Sequence, residues 1–193
     1  MNVHHYLKPY SVDEIKSYYK TKTIPAAAAM MHVKGDFNLA TLIRNVNFFG
    51  FEKVFYIGGD KKYDRRGTVG THHYVDLNFI KSEKEFVSVV KDLGYTILAI
   101  ENNINYVVED FFTFFNVSRD IKPIFVFGEE QRGLSDFMLA NSQQILHIRG
   151  RGTVRSLNVG TASGIVSSGY KTSSAYVGVG MAGSGSQTMA ASD

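Results

Sequence analysis

The chain has 193 residues, of which 44% are hydrophobic and 20% charged, a composition typical of a globular protein with a sizeable core. Its 21 basic and 18 acidic residues give a net charge of +3, an excess too small to identify a polyanionic partner by itself. The absence of cysteine excludes disulfides and cysteine-ligated metal sites and favours a reducing compartment. The first twenty residues lack the apolar segment of a signal peptide, and no apolar run reaches the roughly 20 residues that cross a bilayer. We therefore expect a cytoplasmic protein with no membrane partner.

Helices and strands alternate along the sequence. Residues 11–20 predict an opening helix in which Ser11 and Glu14 form a capping box. Further helices are predicted at 36–50, 82–94, 135–142 and after 156, and strands at 25–33, 53–59, 95–101, 123–128 and 144–148. The strands are nearly continuous apolar runs, as expected when both faces of a strand are buried. The pattern predicts an α/β fold with a mostly parallel sheet and flanking helices.

Composition divides the chain into three segments. Residues 1–24 form an N-terminal helical extension, and residues 25–176 form the main domain. Residues 177–193 are rich in Gly, Ala and Ser and bury too little apolar surface to hold one structure, so we expect a flexible tail.

Polar segments follow three of the predicted strands, at 34–45, 127–135 and 149–158. In open parallel sheets, ligands bind beyond the carboxyl ends of the strands, so these segments could line one pocket. Each also has an ordinary structural explanation. The loop at 127–135 could be a turn with solvated charges, and Asn38, Ser156 and Asn158 could be helix caps.

Several common sites are excluded by their missing motifs. The sequence has no phosphate-binding P-loop, and the first strand is not followed by the glycine fingerprint of dinucleotide binding. Ser156 lacks the nucleophile elbow of serine hydrolases. The six histidines occur without clustered carboxylates or a zinc motif, so we predict no metal site.

The ordered combination of polar residues is more specific than its parts. The residues are Asn38 and Arg44 on the second helix, Gly128, Glu130 and Gly133 in a loop, and Ser156, Leu157 and Asn158 at the last helix start. In this order they resemble the three motifs of the SpoU/TrmH-type RNA ribose 2′-O-methyltransferases, within the SPOUT superfamily. The resemblance extends from about residue 25 to 170, and it departs from the family at Asn45, where Thr is common, and at Glu129, where Asn or Ala is usual.

The resemblance implies an architecture and a cofactor. The main domain would be a SPOUT methyltransferase domain whose C-terminal segment forms a trefoil knot, and the protein would be a homodimer with the active site near the subunit interface. S-adenosylmethionine would bind in the knot, held mainly by backbone groups. The residues implied in cofactor binding are Ile100, Glu101, Phe127, Gly128, Gly133, Ile148 and Leu157.

The family also implies roles for five catalytic-site residues. Arg44 would act at the ribose 2′-hydroxyl, either as the general base or as a charged group that grips a phosphate and orients the hydroxyl, because a guanidinium resists deprotonation. Asn38 would hold Arg44 or the helix start, Glu130 would order the cofactor loop, and Ser156 and Asn158 would contact the reacting region.

Basic loops are the expected RNA contacts. The residues are Lys61, Lys62, Arg65 and Arg66 in one loop and Arg149, Arg151 and Arg155 in another. Such phosphate contacts give affinity with little sequence selectivity, although the first cluster could also be a solubilising surface loop. The leading hypothesis is an RNA 2′-O-methyltransferase acting on tRNA. The alternatives are the same chemistry on ribosomal RNA, or a catalytically inactive knotted RNA-binding protein.

Overall fold

The structure is a computed structural model that describes residues 3–32, 37–59, 63–102, 108–116, 120–129 and 131–173. The strands are β1 (Ile24–Met31), β2 (Phe51–Ile57), β3 (Asp76–Ile80), β4 (Thr96–Ile100), β5 (Glu109–Asp110), β6 (Pro123–Phe127) and β7 (Gln144–His147). The α-helices are α1 (Val12–Lys20), α2 (Phe37–Phe49), α3 (Glu83–Asp92), α4 (Phe111–Phe114), α5 (Asp136–Asn141) and α6 (Val159–Lys171). Short 3₁₀ helices lie at His5–Leu7, Arg65–Thr68 and Thr71–His73.

The strands form one parallel sheet in the order β3-β2-β1-β6-β4-β7-β5. The predicted parallel α/β fold with flanking helices is therefore confirmed, and each predicted strand is present with ends shifted by at most two residues. The trefoil knot and the domain boundaries at 24/25 and 176/177 stay predictions, and the tail lies outside the described residues.

Apolar side chains cover both faces of the sheet. One buried cluster joins α2, α4 and α6 to the sheet, and the other joins α3 and α5 to the opposite face. On the first face the rings of Phe51, Phe115, Phe125 and Tyr170 contact one another at centroid distances of 5.2–6.0 Å. These rings fix the C-terminal half of α6 against the sheet, and the first half of α6 is thereby held near the strand ends.

Helix caps agree closely with the sequence. Ser11 and Glu14 form the predicted capping box. Ser82 caps α3 by accepting from the backbone N–H of Glu85, but the Glu85 carboxylate accepts from the N–H of Lys81 and not from Ser82. The sequence also predicts Asp36 as the N-cap of α2, and Asp36 lies outside the described residues.

The opening helix α1 is attached to the main domain through Tyr19. Its hydroxyl donates to the carbonyl oxygens of Val46 and Phe51, at 3.2 and 2.5 Å. Burial raises the pKa of this phenol, so it stays protonated and remains a donor at neutral pH. The N-terminal extension therefore packs against α2 and β2.

Candidate functional site

A cleft opens where β4, β6 and β7 end, at the carboxyl edge of the sheet. Its lining residues are Ile100, Glu101, Asn102, Phe127, Gly128, Glu129, Gly133, Ile148, Ser156, Leu157, Val159 and Ala162. We call it the strand-end cleft. All seven predicted cofactor-binding residues line it, together with one predicted catalytic residue, Ser156. The structure thus brings together three loops that are distant in sequence, as expected at the ligand-binding edge of a parallel sheet.

The carboxylate of Glu101 organises two walls of the strand-end cleft. One of its oxygens accepts from the backbone N–H of Asn102 and the other from that of Leu134, both at 2.9 Å. The Asn102 side chain in turn pairs with the backbone N–H and carbonyl of Ile148, both at 3.1 Å. The loops after β4, β6 and β7 are therefore joined by hydrogen bonds that start from two adjacent residues.

Two glycines are required by close packing in the loop after β6. Glu129 and Gly133 exchange both backbone hydrogen bonds, at 2.9 and 3.0 Å, which closes a tight turn. Gly133 has a φ of +67°, and a side chain there would collide with the Glu101 carboxylate. A side chain at Gly128 would collide with the backbone of Gly133 and Leu134. These positions shape the strand-end cleft whether or not they touch a ligand.

The last helix begins beside α2. Asn158 is the N-cap of α6, where its Oδ1 accepts from the backbone N–H of Thr161 at 3.2 Å. Its Nδ2 donates to Oδ1 of Asn38 at 2.9 Å. The capping alternative for Asn158 is therefore correct, and the same side chain also joins two of the predicted catalytic positions.

One turn further along, the two helices are in close contact. Asn45 Nδ2 donates to the carbonyl of Gly160 at 3.0 Å and to Oγ of Ser163 at 2.9 Å. A Cβ on Gly160 would lie 2.9 Å from Cγ2 of Thr41, and one on Gly164 would lie 3.3 Å from Nδ2 of Asn45. The small residues of α6 therefore allow close packing against α2. Asn45, a departure from the family pattern, provides hydrogen bonds between the helices.

The remaining predicted catalytic residues are less closely grouped. Arg44 is exposed on α2 and does not line the strand-end cleft; Phe37 and Phe48 lie on the same helix face and are 66% and 77% exposed. Ser156 is exposed at the wall of the strand-end cleft, two residues before α6. Glu130 lies outside the described residues.

The predicted RNA contacts are mostly at the surface. Arg65, Arg66, Arg149, Arg151 and Arg155 are exposed, and Lys61 and Lys62 lie outside the described residues. Arg66 forms an ion pair with Asp64, in which Nη2 lies 2.6 Å from Oδ2. The hydrogen bonds that Arg66 donates to this carboxylate lower the pKa of Asp64 to about 2. The other described arginines form no ion pair with a described carboxylate.

Four lining residues were not predicted as site residues: Asn102, Glu129, Val159 and Ala162. The two on α6 lie on its inward face, which its stripe of small residues could have indicated. Asn102 follows a predicted strand but carries no motif. Glu129 was noted only as a departure from the family pattern.

Comparisons with known proteins give the family. The sequence model of the SpoU rRNA methylase family matches residues 26–168. The chain belongs to that family. A comparison with curated protein sequences gave no match.

Solved structures share the fold of this SpoU-family chain. The A. aeolicus TrmH/SpoU tRNA modifying enzyme has a TM-score of 0.74 and 19% identity, over 88% of this chain and 84% of its own. The AdoMet-bound rRNA methyltransferase from Sinorhizobium meliloti has a TM-score of 0.68 and 20% identity, over 76% of this chain and 55% of its own. A structure described as giving insights into the 2-OH methylation of C/U34 on tRNA has a TM-score of 0.64 and 21% identity, over 76% and 95%. This chain thus spans just over half of the Sinorhizobium enzyme and most of the other two proteins.

Among the described residues, no helix combines the length and apolar character that a membrane span requires. The described ranges also hold no group of three or more potential metal-ligating side chains.

Proposed function

We propose that the protein is an S-adenosylmethionine-dependent RNA methyltransferase that modifies a ribose 2′-hydroxyl, with tRNA as its substrate. The observation that carries the proposal is the convergence of all seven predicted cofactor-binding residues on the strand-end cleft, with Ser156 beside them. Family membership supports it, as does the AdoMet-bound state of the Sinorhizobium relative.

The strand-end cleft fits the proposed cofactor. Phe127, Ile148 and Leu157 provide apolar surface for an adenine ring, and Leu157 is 40% exposed, so that surface is accessible. Glu129 brings a carboxylate to the lining, which suits a cationic ligand. S-adenosylmethionine supplies a methyl group already activated by a positively charged sulfur.

The chain's own residues must orient the acceptor and manage its proton. A ribose 2′-oxygen that gains a carbon substituent loses its hydrogen, so a group near the hydroxyl must accept or relay that proton. We assign orientation of the ribose to Arg44, whose charged guanidinium can also hold a flanking phosphate. Asn38 and Asn158 fix the start of α6, and Ser156 places a hydroxyl at the wall of the strand-end cleft. Glu130 is assigned to ordering the cofactor loop.

A homodimer is part of the proposal. Arg44 lies outside the strand-end cleft of its own chain, on an exposed α2 face with Phe37 and Phe48. Large exposed aromatic side chains on one helix face are typical of protein interfaces. A second copy packed on this face would bury both rings and bring Arg44 to the subunit interface. Sedimentation of the wild type and of Phe48→Glu tests this, with a dimer expected only for the wild type.

The choice of tRNA over ribosomal RNA rests on chain coverage. This chain spans 95% of the protein in the structure concerned with tRNA methylation, but 55% of the Sinorhizobium rRNA methyltransferase. The cytoplasm, where tRNA is found, is the proposed location.

The test is transfer of a labelled methyl group from S-adenosylmethionine to unmodified tRNA and to ribosomal RNA, followed by mapping of the label. We expect label on one ribose 2′-oxygen of tRNA. Arg44→Ala should abolish transfer and leave cofactor binding intact, whereas Lys91→Ala, on the exposed part of α3, should behave like the wild type. Label on ribosomal RNA alone would favour the alternative substrate. Absence of both labelling and cofactor binding would favour an inactive RNA-binding protein.

A further inference from the structure

A second cleft lies at the far end of the sheet, between α1, residues 63–73 and β3. It has a volume of about 260 Å³. Its lining residues are Lys16, Tyr63, Arg65, His72, His73, Val75, Asp76, Leu77 and Phe79. We call it the β3 cleft. It shares no residue with the strand-end cleft, and β2 and β1 separate β3 from β6.

The charges of the β3 cleft favour an anion. Lys16 and Arg65 form no ion pair with any carboxylate in the described part of the chain. The one carboxylate in the lining, Asp76, is already paired with Lys53. The neighbouring Arg66, by contrast, is held by Asp64 and does not line the β3 cleft. Two cations on one concave surface, neither paired with a described carboxylate, can together hold a phosphate group.

Two aromatic rings line the β3 cleft together with these cations. Tyr63 is half-buried, with its ring centroid 6.1 Å from that of Phe79, and the Arg65 guanidinium lies 5.9 Å from the centre of the Tyr63 ring. Proteins bind single-stranded nucleic acid with cations that contact its phosphate backbone and with accessible aromatic rings on which any base can stack.

The β3 cleft is also connected to the helix that carries Arg44. A Cβ on Gly67 would lie 2.7 Å from Cβ of Ala40, so the 3₁₀ helix Arg65–Thr68 packs directly on α2. Neighbouring strands are about 4.8 Å apart, so β3 and β6 are roughly 14 Å apart across the sheet, and the β3 cleft is also displaced along the strands because its lining includes Asp76, the first residue of β3. An RNA strand can cover that distance within a few nucleotides.

We propose that the β3 cleft binds one nucleotide of single-stranded RNA that flanks the methylated nucleotide. Lys16 and Arg65 hold its phosphate, and Tyr63 receives its base. The proposal rests on the proposed function and adds a binding subsite to it. Lys16 belongs to the N-terminal extension, so that extension contributes directly to substrate binding.

The experiment compares two charge-matched double variants. Lys16→Ala/Arg65→Ala removes the cations of the β3 cleft. Lys84→Ala/Lys91→Ala removes two exposed cations from α3, on the opposite face of the sheet. Binding of unmodified tRNA and of a short oligouridine is measured by fluorescence anisotropy over a range of salt concentrations. Thermal melting establishes that both variants fold.

Loss of the contact with one phosphate should lower the steepness of log K against log salt by about 0.7, the value for one phosphate of a single strand. At about 0.1 M salt, relative to 1 M, this corresponds to roughly fivefold weaker binding. The α3 variant should match the wild type. Tyr63→Leu should weaken oligouridine binding with no change in the salt slope, because it removes stacking and leaves the charges.

Methyl transfer separates failure of this inference from failure of the proposed function. For the β3-cleft variant we expect a raised KM for tRNA with kcat and S-adenosylmethionine affinity unchanged. If the wild type methylates RNA and the two double variants bind RNA equally well, the β3 cleft is not an RNA subsite. If the wild type neither methylates nor binds RNA, the proposed function itself is wrong.

Discussion

Asn158 Nδ2 donates a 2.9 Å hydrogen bond to Oδ1 of Asn38, across 120 positions of sequence. The same Asn158 side chain caps α6 through the N–H of Thr161. One residue therefore stabilises both the start of the last helix and its attachment to α2.

The two functions of Asn158 can be separated by mutation. Asn38→Ala removes the bond between the helices and should cost about 0.5–1.5 kcal/mol in the free energy of unfolding. Asn158→Ala also removes the cap and should cost roughly 1 kcal/mol more. Urea unfolding of both single variants and the double variant measures the coupling. If the double variant equals the sum of the singles, the bond between the helices contributes nothing to stability.

Gly133→Ala should destabilise the loop after β6. Its φ of +67° disfavours a side chain, and a Cβ would displace the Glu101 carboxylate from the N–H of Leu134. We expect a loss of about 1–3 kcal/mol by thermal melting, together with weaker S-adenosylmethionine binding by calorimetry. Gly150→Ala is the matched control, because a Cβ there meets no atom within 4 Å. Equal melting temperatures for the two variants would contradict the prediction.

Glu129 should favour the methyl donor over the demethylated product. Both ligands carry an α-ammonium group, but only S-adenosylmethionine carries a positive sulfur, so a carboxylate in the lining adds an attraction for the donor that the product lacks. Glu129→Gln should weaken donor binding about two- to fivefold, the range of a partly solvated ion pair, and leave product affinity unchanged. Calorimetric titration with both ligands checks this. An equal loss for the two ligands would indicate a change in cleft shape rather than in charge.

Acid should destabilise the fold through His72. Burial lowers the pKa of this imidazole, and the charges of His73 and Arg65 lower it further, so the folded state disfavours protonation. His72 lines the β3 cleft, where the other charged or imidazole side chains are those of Lys16, Arg65, His73 and Asp76. The contribution of neutral His72 to the free energy of unfolding is fully present above the usual histidine pKa of about 6.5. It is lost as the pH falls below 6.5 towards the lower pKa of the folded state.

His72→Asn removes the titrating group and keeps a polar partner for Thr68, whose Oγ1 lies 2.6 Å from Nδ1 of His72. Its stability should therefore depend less on pH than that of the wild type between about pH 7 and 5. Denaturant midpoints at several pH values test this, with measurements near pH 8 as the reference for the substitution itself. Parallel pH curves for the two proteins would show that His72 is not responsible.

The sequence predicted strands correctly where one local signal, a run of apolar residues, marks the strand. The strands β1, β4 and β6 are buried along nearly all of their length, so their residues are almost all apolar and their ends are clear. β3 was missed because it lies at the sheet edge, where four of its five residues are only half-buried and polar residues are tolerated. β5 has two residues, Glu109 and Asp110, and α4 has four, which is too short for a period to be seen.

The polar segments at 127–135 and 149–158 could be located because the ends of the apolar strands are visible in the sequence, whereas the seven predicted cofactor-binding residues came from the family resemblance. Contacts between distant positions were not found, because amide pairs such as Asn38 with Asn158 leave no periodic pattern in sequence. The role of Asn45 was likewise hidden: its partners lie on a helix more than a hundred residues away. The 3₁₀ helix that contains His72 and His73, whose ring centroids are 4.1 Å apart, was not predicted either, because three residues are too few to show a period.

The contact between α2 and α6 also has a consequence for how the protein is made. Asn45 and Gly160 are 115 positions apart, and contacts of such long sequence separation form slowly and late in folding. All seven strands leave the ribosome before α6, which supplies Val159 and Ala162 to the strand-end cleft. A nascent chain arrested before Val159 should therefore gain no protection from proteolysis by S-adenosylmethionine. Ligand protection should appear only after the last helix has been synthesised and has docked.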